Sequence, residues 1–260
     1  MTQRELCTSQ PLPLRGARNV RDLGGYPFVD ERGQHGVTAS HVYLRSGALG
    51  GLKRGDIAYL EAYGLARVID MRSNFELSIW RDAFQTGRVP HIDYVHIPLM
   101  DQLNSNGFQG LLPESMFHVY RDIVDNDADS LRVLFDALDG GGCTLFHCRV
   151  GKDRTGVIAM LLLGLAGVDE EHIVTDYAAT QRYMGRGLRA QRIIVSILLR
   201  KRVPRCLFEA NPHEMERTLA HIHATYGGIR RYLEEVVGCS AERLDCIAGR
   251  LRGTVSEDRG

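Results

Sequence analysis

The fold of this chain is decided by the stretch His147-Cys148-Arg149-Val150-Gly151-Lys152-Asp153-Arg154-Thr155-Gly156. Residues 143–146 before it form a short β-type run, and residues 155–166 after it are almost all apolar. These runs predict a buried strand and a buried helix. Where a strand, a glycine-bearing loop and a helix N-terminus follow one another, unpaired backbone N–H groups point at an anion and the helix dipole favours negative charge. The stretch therefore predicts a site for a phosphate-sized anion.

Cys148 and Arg154 are the chemically active residues of this predicted loop. The positive field of the loop stabilises the thiolate of Cys148, which is the nucleophilic form of a cysteine. Arg154, six positions later, can bind two phosphate oxygens with its fork-shaped guanidinium group. Gly151 allows a bend that a Cβ atom would obstruct. Thr155 can offer its hydroxyl to the sulfur and so help the thiolate to leave when a phosphocysteine breaks down.

The rest of the chain predicts an α/β fold with a central, mostly parallel sheet flanked by helices. Further strands are predicted at residues 41–44, 66–69 and 94–98, and helices between them at 52–63 and 128–138. Glycine-, proline- and asparagine-rich stretches at 14–36 and 102–113 predict loops. The C-terminal third is mainly helical, with helices predicted at 169–183, 188–200, 212–226, 229–237 and 241–251. We expect one domain over residues 1–260, with 1–15 as a flexible N-terminal segment.

Charge, cysteine content and apolar runs limit the partners and the cellular compartment that we expect for this protein. The formal net charge is zero, which argues against nucleic acid as a partner. The six cysteines show no C-x-x-C pair, which indicates reduced thiols and no zinc site. The N-terminus lacks the apolar core of a signal peptide, and the apolar run at 157–166 is too short for a transmembrane segment. We therefore expect a cytoplasmic protein, with export lacking a cleaved signal as the alternative. The oligomeric state is left open.

The stretch from His147 to Gly156 resembles the phosphate loop of the cysteine-dependent tyrosine and dual-specificity phosphatase superfamily. Its Gly-Lys-Asp-Arg core is similar to that of an atypical, mostly bacterial branch, and so are residues 19–26, 44–47 and 68–73. The resemblance covers residues 15–252. It implies a protein-tyrosine-phosphatase-like fold and hydrolysis of phosphomonoesters through a phosphocysteine, without metal or cofactor. The implied substrates are phosphotyrosine and also phosphoserine and phosphothreonine, and in this branch Lys152 suggests tolerance for phosphoinositides.

The predicted site residues fall into three groups. Phosphate binding is assigned to Cys148, Arg149, Val150, Gly151, Lys152, Asp153 and Arg154. For the general acid, Asp101 precedes a loop that could close over substrate and is favoured narrowly over Asp153, which lies within the phosphate loop. Supporting roles are assigned to His147, Thr155, Asp70, Arg72, Arg21, Asp22 and Arg45. For Asp70, a structural ion pair with Arg72 is the preferred interpretation.

Residues 182–208 carry eight basic side chains and no acidic one, around an apolar interior. Three interpretations stay open: a lid or basic helical insertion over the site, a surface in transient contact with anionic lipid, and a core-facing helix with solvated arginines. Two alternatives to a phosphatase also stay open. One is a catalytically silent phosphate-binding module, and the other is a rhodanese-like sulfur transferase, which also places a cysteine in an anion loop.

Overall fold

The computed structural model of the chain describes residues 10–100, 113, 115–198 and 204–254. The strands are β1 Arg21–Asp22, β2 Pro27–Val29, β3 His35–Val37, β4 Tyr43–Ser46, β5 Leu65–Asp70, β6 Asp93–His96 and β7 Cys143–His147. The helices are α1 Arg54–Ala62, α2 Asn74–Ile79, α3 Met116–Asn126, α4 Ala128–Leu138, α5 Asp153–Leu165, α6 Glu170–Leu198, α7 Pro212–Tyr226, α8 Ile229–Glu235 and α9 Ala241–Arg252, with a 3₁₀ helix at Arg205–Phe208. The predicted α/β class is confirmed.

The central sheet has the strand order β1-β4-β7-β5-β6. β7 pairs in parallel with β4 and β5, β5 pairs in parallel with β6, and β1 is antiparallel to β4, which confirms the prediction of a mostly parallel sheet. His147, the last residue of β7, lies opposite Ser46 of β4 and Asp70 of β5. The carboxyl ends of three parallel strands therefore meet where the phosphate loop begins, which is the usual place for a ligand in such a sheet.

The sheet divides the core into two apolar clusters, because successive side chains of a strand point to opposite faces. Phe146 of β7 belongs to the larger cluster, which contains the buried face of α3 and most of α5. Leu145 belongs to the smaller one, with Leu60 of α1. Helix α5 is buried along nearly its whole length, so the loop that precedes it is anchored by a helix that cannot shift without disturbing the core.

The C-terminal third is helical, as the sequence predicts, with one difference in α6. The helices predicted at 169–183 and 188–200 form one continuous helix, Glu170–Leu198. Gly187 suggests an interruption, since a helical glycine costs about 1 kcal/mol relative to alanine. Burial of the next residue, Leu188, contributes about 1.5–3 kcal/mol and outweighs that cost. Among the described helices, none has both the length and the apolar character needed to cross a bilayer.

Other differences lie in the first half of the chain. The stretch 14–36, predicted as a loop, contains the short strands β1 and β2 and the start of β3. Helix α2 was not predicted, although Ser73 and Glu76 form a capping box at its start: the amide of Glu76 donates to Ser73 Oγ, and the amide of Ser73 donates to Glu76 Oε2. Helix α3 was also missed and is capped by Ser115, whose Oγ accepts from the amide of Phe117. Residues 1–9 of the predicted flexible segment and residues 199–203 lie outside the described residues.

Candidate active site

The side chain of Cys148 lies at the start of the loop between β7 and α5 and is almost fully buried. Its Sγ accepts two hydrogen bonds, from the amide N of Gly151 at 3.3 Å and from Oγ1 of Thr155 at 3.1 Å. Hydrogen bonds from an amide and a hydroxyl favour negative charge on the atom that accepts them. The two donors would therefore stabilise negative charge that develops on the sulfur of Cys148.

Position 151 of this loop accepts only glycine. Its φ angle is +74°, in the left-handed region, and a Cβ atom would lie 2.6 Å from backbone atoms of Ser46 and Gly47. Its carbonyl oxygen accepts from Arg45 Nη2 at 2.9 Å and from Asn19 Nδ2 at 2.8 Å. The turn of the phosphate loop is thus held by close backbone packing against the end of β4 and by two side-chain donors.

A buried ion-pair cluster holds one of these two donors, Arg45, in position. Asp176 of α6 pairs with both Arg21 and Arg45, and it accepts a third hydrogen bond from the hydroxyl of Tyr26. Burial alone would raise the pKa of Asp176, but the charges of the two arginines outweigh it and hold the pKa at about 2. Arg45 links this cluster directly to the loop through the carbonyl oxygen of Gly151. The sequence did not indicate this role for Asp176, since the residue lies inside an ordinary helical pattern.

Asp22, the other residue of the predicted N-terminal support, lies away from the loop. Its carboxylate accepts from the amides of Gly24 at 2.7 Å and His41 at 2.8 Å, and from the hydroxyl of Tyr63 at 2.7 Å. These bonds fix the turn after β1 and the start of β4. The structure therefore brings Arg45 to the phosphate loop, links Arg21 to the loop indirectly through Asn19 and Asp176, and gives Asp22 a local structural role.

Arg154 is oriented by a carboxylate that sequence reasoning missed. Glu76 binds it at both oxygens, with Nη1–Oε2 at 2.7 Å and Nη2–Oε1 at 2.8 Å, and Arg154 Nη1 also donates to the carbonyl of Met71 at 3.0 Å. Burial would raise the pKa of Glu76, but the bonds from Arg154 lower it below its usual value. Among the described residues, no partner takes the N–H of Arg154 Nε or the second N–H of Nη2. These two form the side-on pair that binds phosphate bidentately.

Of the two predicted general acids, the structure describes only Asp153. Asp101 lies outside the described residues. Asp153 lines the same pocket as Cys148 and accepts a hydrogen bond from Tyr120 at 2.6 Å, and the hydroxyl of Tyr177 lies 2.6 Å from that of Tyr120. Burial and then Asp153 raise the pKa of Tyr120, so its hydroxyl stays protonated and acts as a donor. The two tyrosines, which lacked a sequence signal, hold the Asp153 carboxylate at the pocket.

Lys152 is buried despite its charge, with its side chain 1% exposed. Its Nζ contacts the carbonyl oxygens of Leu207 at 3.0 Å, Glu209 at 3.1 Å and Cys206 at 3.4 Å, and lies 3.2 Å from Asp153 Oδ1. The ammonium group is therefore bonded to the protein itself.

His147, Asp70 and Arg72 form a second buried cluster beneath the loop. His147 Nδ1 lies 3.2 Å from the carbonyl of Cys148 and Nε2 lies 3.5 Å from Asp70 Oδ2. Burial would raise the pKa of Asp70, but the charge of His147 and the hydrogen bonds from Arg72 hold it at about 2. Asp70, Asp82 and His147 are close enough to share a metal ion. The guanidinium of Arg72 already bonds both carboxylates, at 2.5 and 2.6 Å, so the positive charge that a cation would supply is present.

A pocket of about 170 Å³ opens above Cys148. Its charged lining comes from the loop and Glu76, and its apolar lining outside the loop comes from Leu188, Leu207 and Phe208. All three apolar residues belong to the segment 182–208 that the sequence analysis singled out. At the rim, the exposed Arg149 stacks on Trp80, with its guanidinium carbon 3.6 Å from the ring centroid.

A buried cysteine with amide and hydroxyl donors, a clamped arginine and an aspartate at the mouth define a phosphatase that uses a cysteine loop. The model of the tyrosine phosphatase family matches residues 12–253, so the chain belongs to that family. The chain is accordingly a tyrosine-phosphatase-like enzyme, and its substrates carry phosphate groups.

Three relatives illustrate this membership. A tyrosine-protein phosphatase of Nostoc commune is 29% identical, over 80% of this chain and 74% of the relative. A putative tyrosine-protein phosphatase of Cupriavidus necator is 28% identical, over 87% and 84%. The triple specificity protein phosphatase PtpB of Mycobacterium tuberculosis is 27% identical, over 92% and 91%.

Proposed function

We propose that the chain hydrolyses phosphotyrosine through a phosphocysteine on Cys148, with Asp153 as the general acid. The observation that carries the proposal is the pair of donors on the sulfur, Gly151 N and Thr155 Oγ1, beside the unpaired edge of Arg154. An anion seated on that edge would lie over the nucleophile. The arginine and the loop amides would hold the charge that develops on the phosphoryl oxygens.

The proposed reaction has two steps that balance in protons and phosphate. In the first, the Cys148 thiolate attacks phosphorus, the bond from phosphorus to the ester oxygen breaks, and Asp153 gives that oxygen its proton. In the second, water attacks the phosphocysteine, Asp153 takes the proton from the water, and inorganic phosphate and the thiolate are released. The hydroxyl of Thr155 stabilises the departing sulfur, since it already lies 3.1 Å from Sγ.

We assign the proton transfer to Asp153 because its carboxylate lines the pocket and is oriented by Tyr120. Asp101 stays the competing candidate and lies outside the described residues. The names of two relatives support phosphotyrosine as the substrate. The third is named a triple specificity protein phosphatase, and the resemblance of the phosphate loop adds phosphoserine and phosphothreonine peptides and phosphoinositides as further substrates to test.

Several predictions from the sequence accompany this proposal. A single domain over residues 1–260, a reaction without metal or cofactor, and a cytoplasmic location with export as the alternative rest on sequence alone. Contact of segment 182–208 with anionic lipid rests on its basic composition. The side chains of Leu188, Leu207 and Phe208 support the interpretation of part of this segment as a cover of the site.

The decisive experiment compares wild type, Cys148→Ser and Asp153→Asn on a phosphotyrosine peptide in EDTA. Loss of the nucleophile should lower kcat by at least about 10⁴-fold while the peptide still binds. Cys246→Ser, a half-buried cysteine outside the pocket, is the matched control and should keep wild-type turnover. Turnover of Cys148→Ser within tenfold of wild type would reject the mechanism.

The same assay separates the remaining alternatives. A silent binding module would bind the phosphopeptide without turnover in wild type. A sulfur transferase would form thiocyanate from thiosulfate and cyanide. If Asp101 is the acid, Asp153→Asn should retain most of kcat on phenyl phosphate, whose leaving group needs a proton, and Asp101→Asn should lose it.

A further inference from the structure

Lys152 lies within an anion-binding loop, yet its ammonium group contacts oxygen atoms of the protein itself. A buried cation must be paired or hydrogen-bonded, because an unpaired one is costly to desolvate. Here the three protons of Nζ are shared among three carbonyl oxygens and one carboxylate oxygen, at 3.0–3.4 Å. No proton is left over for a phosphate group of a substrate.

The three carbonyls belong to residues 206, 207 and 209, at the end of the 3₁₀ helix and just beyond it. The last carbonyls of a helix lack partners within the helix and attract a cation. Two further bonds hold the same segment: Ala210 N donates to Gln181 Oε1 at 3.0 Å, and Cys206 Sγ donates to the carbonyl of Pro113 at 3.4 Å. Of these attachments, the one from Lys152 ties the segment to the phosphate loop itself.

The segment fastened in this way supplies two of the three apolar residues outside the loop that line the pocket, Leu207 and Phe208. Leu188 of α6 supplies the third. We call these three residues the apolar wall. Inorganic phosphate in the loop would be held by charged and backbone groups. The organic group of a phosphomonoester projects outward from the loop and would meet the apolar wall.

We propose that Lys152 is a positioning residue that fastens the apolar wall to the phosphate loop, and that the wall binds the organic group of the substrate. Lys152 then sets the preference for aryl phosphates over inorganic phosphate without contacting either. This inference rests on the proposed function for the identity of the pocket, but it concerns binding selectivity and can be tested without turnover.

The test compares the affinities of phenylphosphonate and inorganic phosphate, measured by calorimetry for wild type, Lys152→Met, Phe208→Ala and the double variant. We expect Lys152→Met and Phe208→Ala each to weaken phenylphosphonate binding by about tenfold, the scale of one lost apolar contact, and to change phosphate binding less than threefold, on the order of experimental error. The double variant should be no weaker than Lys152→Met alone, because both changes remove the same contact. Lys53→Met, at an exposed lysine, is the matched control.

A second readout follows the wall itself. Trypsin should cut after Arg205 faster in Lys152→Met than in wild type, since the segment is no longer tied to the loop, and equally fast in Lys53→Met. Equal weakening of both ligands by Lys152→Met would make Lys152 a phosphate ligand and overturn the proposal. So would wild-type phenylphosphonate affinity in Phe208→Ala, a variant that leaves the loop intact even if Lys152→Met fails to fold. Wild type that binds phenylphosphonate selectively but lacks turnover would refute the proposed function and not this inference.

Discussion

Replacing Asp176 by Asn should separate the role of the buried cluster from that of the loop it supports. The substitution keeps the shape of the side chain but removes the only carboxylate that the described residues offer to Arg21 and Arg45, both fully buried. The new amide group would also turn N–H donors toward guanidinium donors. Removing one partner of a buried ion pair costs about 3–5 kcal/mol of the free energy of unfolding. For a chain of this size that corresponds to a fall in Tm of about 10 °C.

Activity should fall further than stability explains. Arg45 holds the carbonyl of Gly151, so a shift of its guanidinium shifts the loop that carries the donors to Cys148. A displacement of about 1 Å at such a site costs about 10²-fold in kcat/KM. We expect this loss at temperatures where the variant is still fully folded.

Urea unfolding followed by circular dichroism measures the free energy of unfolding, and a phosphotyrosine peptide measures kcat/KM. Asp129→Asn is the matched control, since that side chain is 99% exposed and its contact with Arg132 is long, at 3.4 Å. It should change stability by less than about 0.5 kcal/mol. If Asp176→Asn stays within about 1 kcal/mol of wild type and keeps its kcat/KM, the cluster does not support the loop and the reasoning fails.

Three more outcomes are expected. The pKa of Asp70 is lowered from 3.8 to about 2, so its stabilising contribution is complete above about pH 4 and is lost as pH falls through about 2. The midpoint of urea unfolding should therefore fall between about pH 4 and about pH 2 in wild type, and fall less in Asp70→Asn. Tyr120→Phe should lower kcat about tenfold on phenyl phosphate, because the Asp153 carboxylate loses the hydroxyl that orients it. An unchanged kcat would argue against Asp153 as the acid. Gly151→Ala should abolish binding of inorganic phosphate, since the added Cβ would meet the backbone at the end of β4. The control Gly87→Ala, at a similar φ angle but in open space, should bind phosphate normally, and normal binding by Gly151→Ala would contradict the described turn.

Two helices with a strong pattern were predictable to the residue. Helix α7 begins at Pro212 after the cap Asn211, ends at Tyr226 before the cap Gly227, which has a positive φ angle, and repeats apolar residues at spacings of three and four. The bounds of α4 also match the prediction. The short strands β1 to β3 could not be predicted, because two- and three-residue strands depend on pairing with distant segments and leave no periodic pattern of their own.

The site was predictable where it is local and unpredictable where it is assembled from distant segments. The loop residues from Cys148 to Arg154 follow one another in sequence, and their chemistry can be inferred from spacing. Glu76, Asp176 and Tyr120 reach the loop from other elements, and nothing in their immediate neighbours indicates this. Lys152 shows a further limit: a lysine in an anion loop suggests a ligand contact, whereas tertiary packing directs its charge to backbone carbonyls.

Arg21 and its partner Asp176 are 155 residues apart, and this separation governs the order in which the parts of the active site can assemble during synthesis. During synthesis the loop with Cys148 emerges from the ribosome before Asp176 does, because Asp176 follows it in the chain. Until Asp176 is in place, Arg21 and Arg45 lack their carboxylate partner, so Arg45, one of the two side-chain donors to Gly151, is not yet fixed in position. Contacts of long sequence separation also form late in folding, because the closure of a long loop must precede them. The nascent chain thus carries the nucleophile for some time without an assembled site, and the ion-pair cluster behind the loop is complete only when the first half of α6 docks.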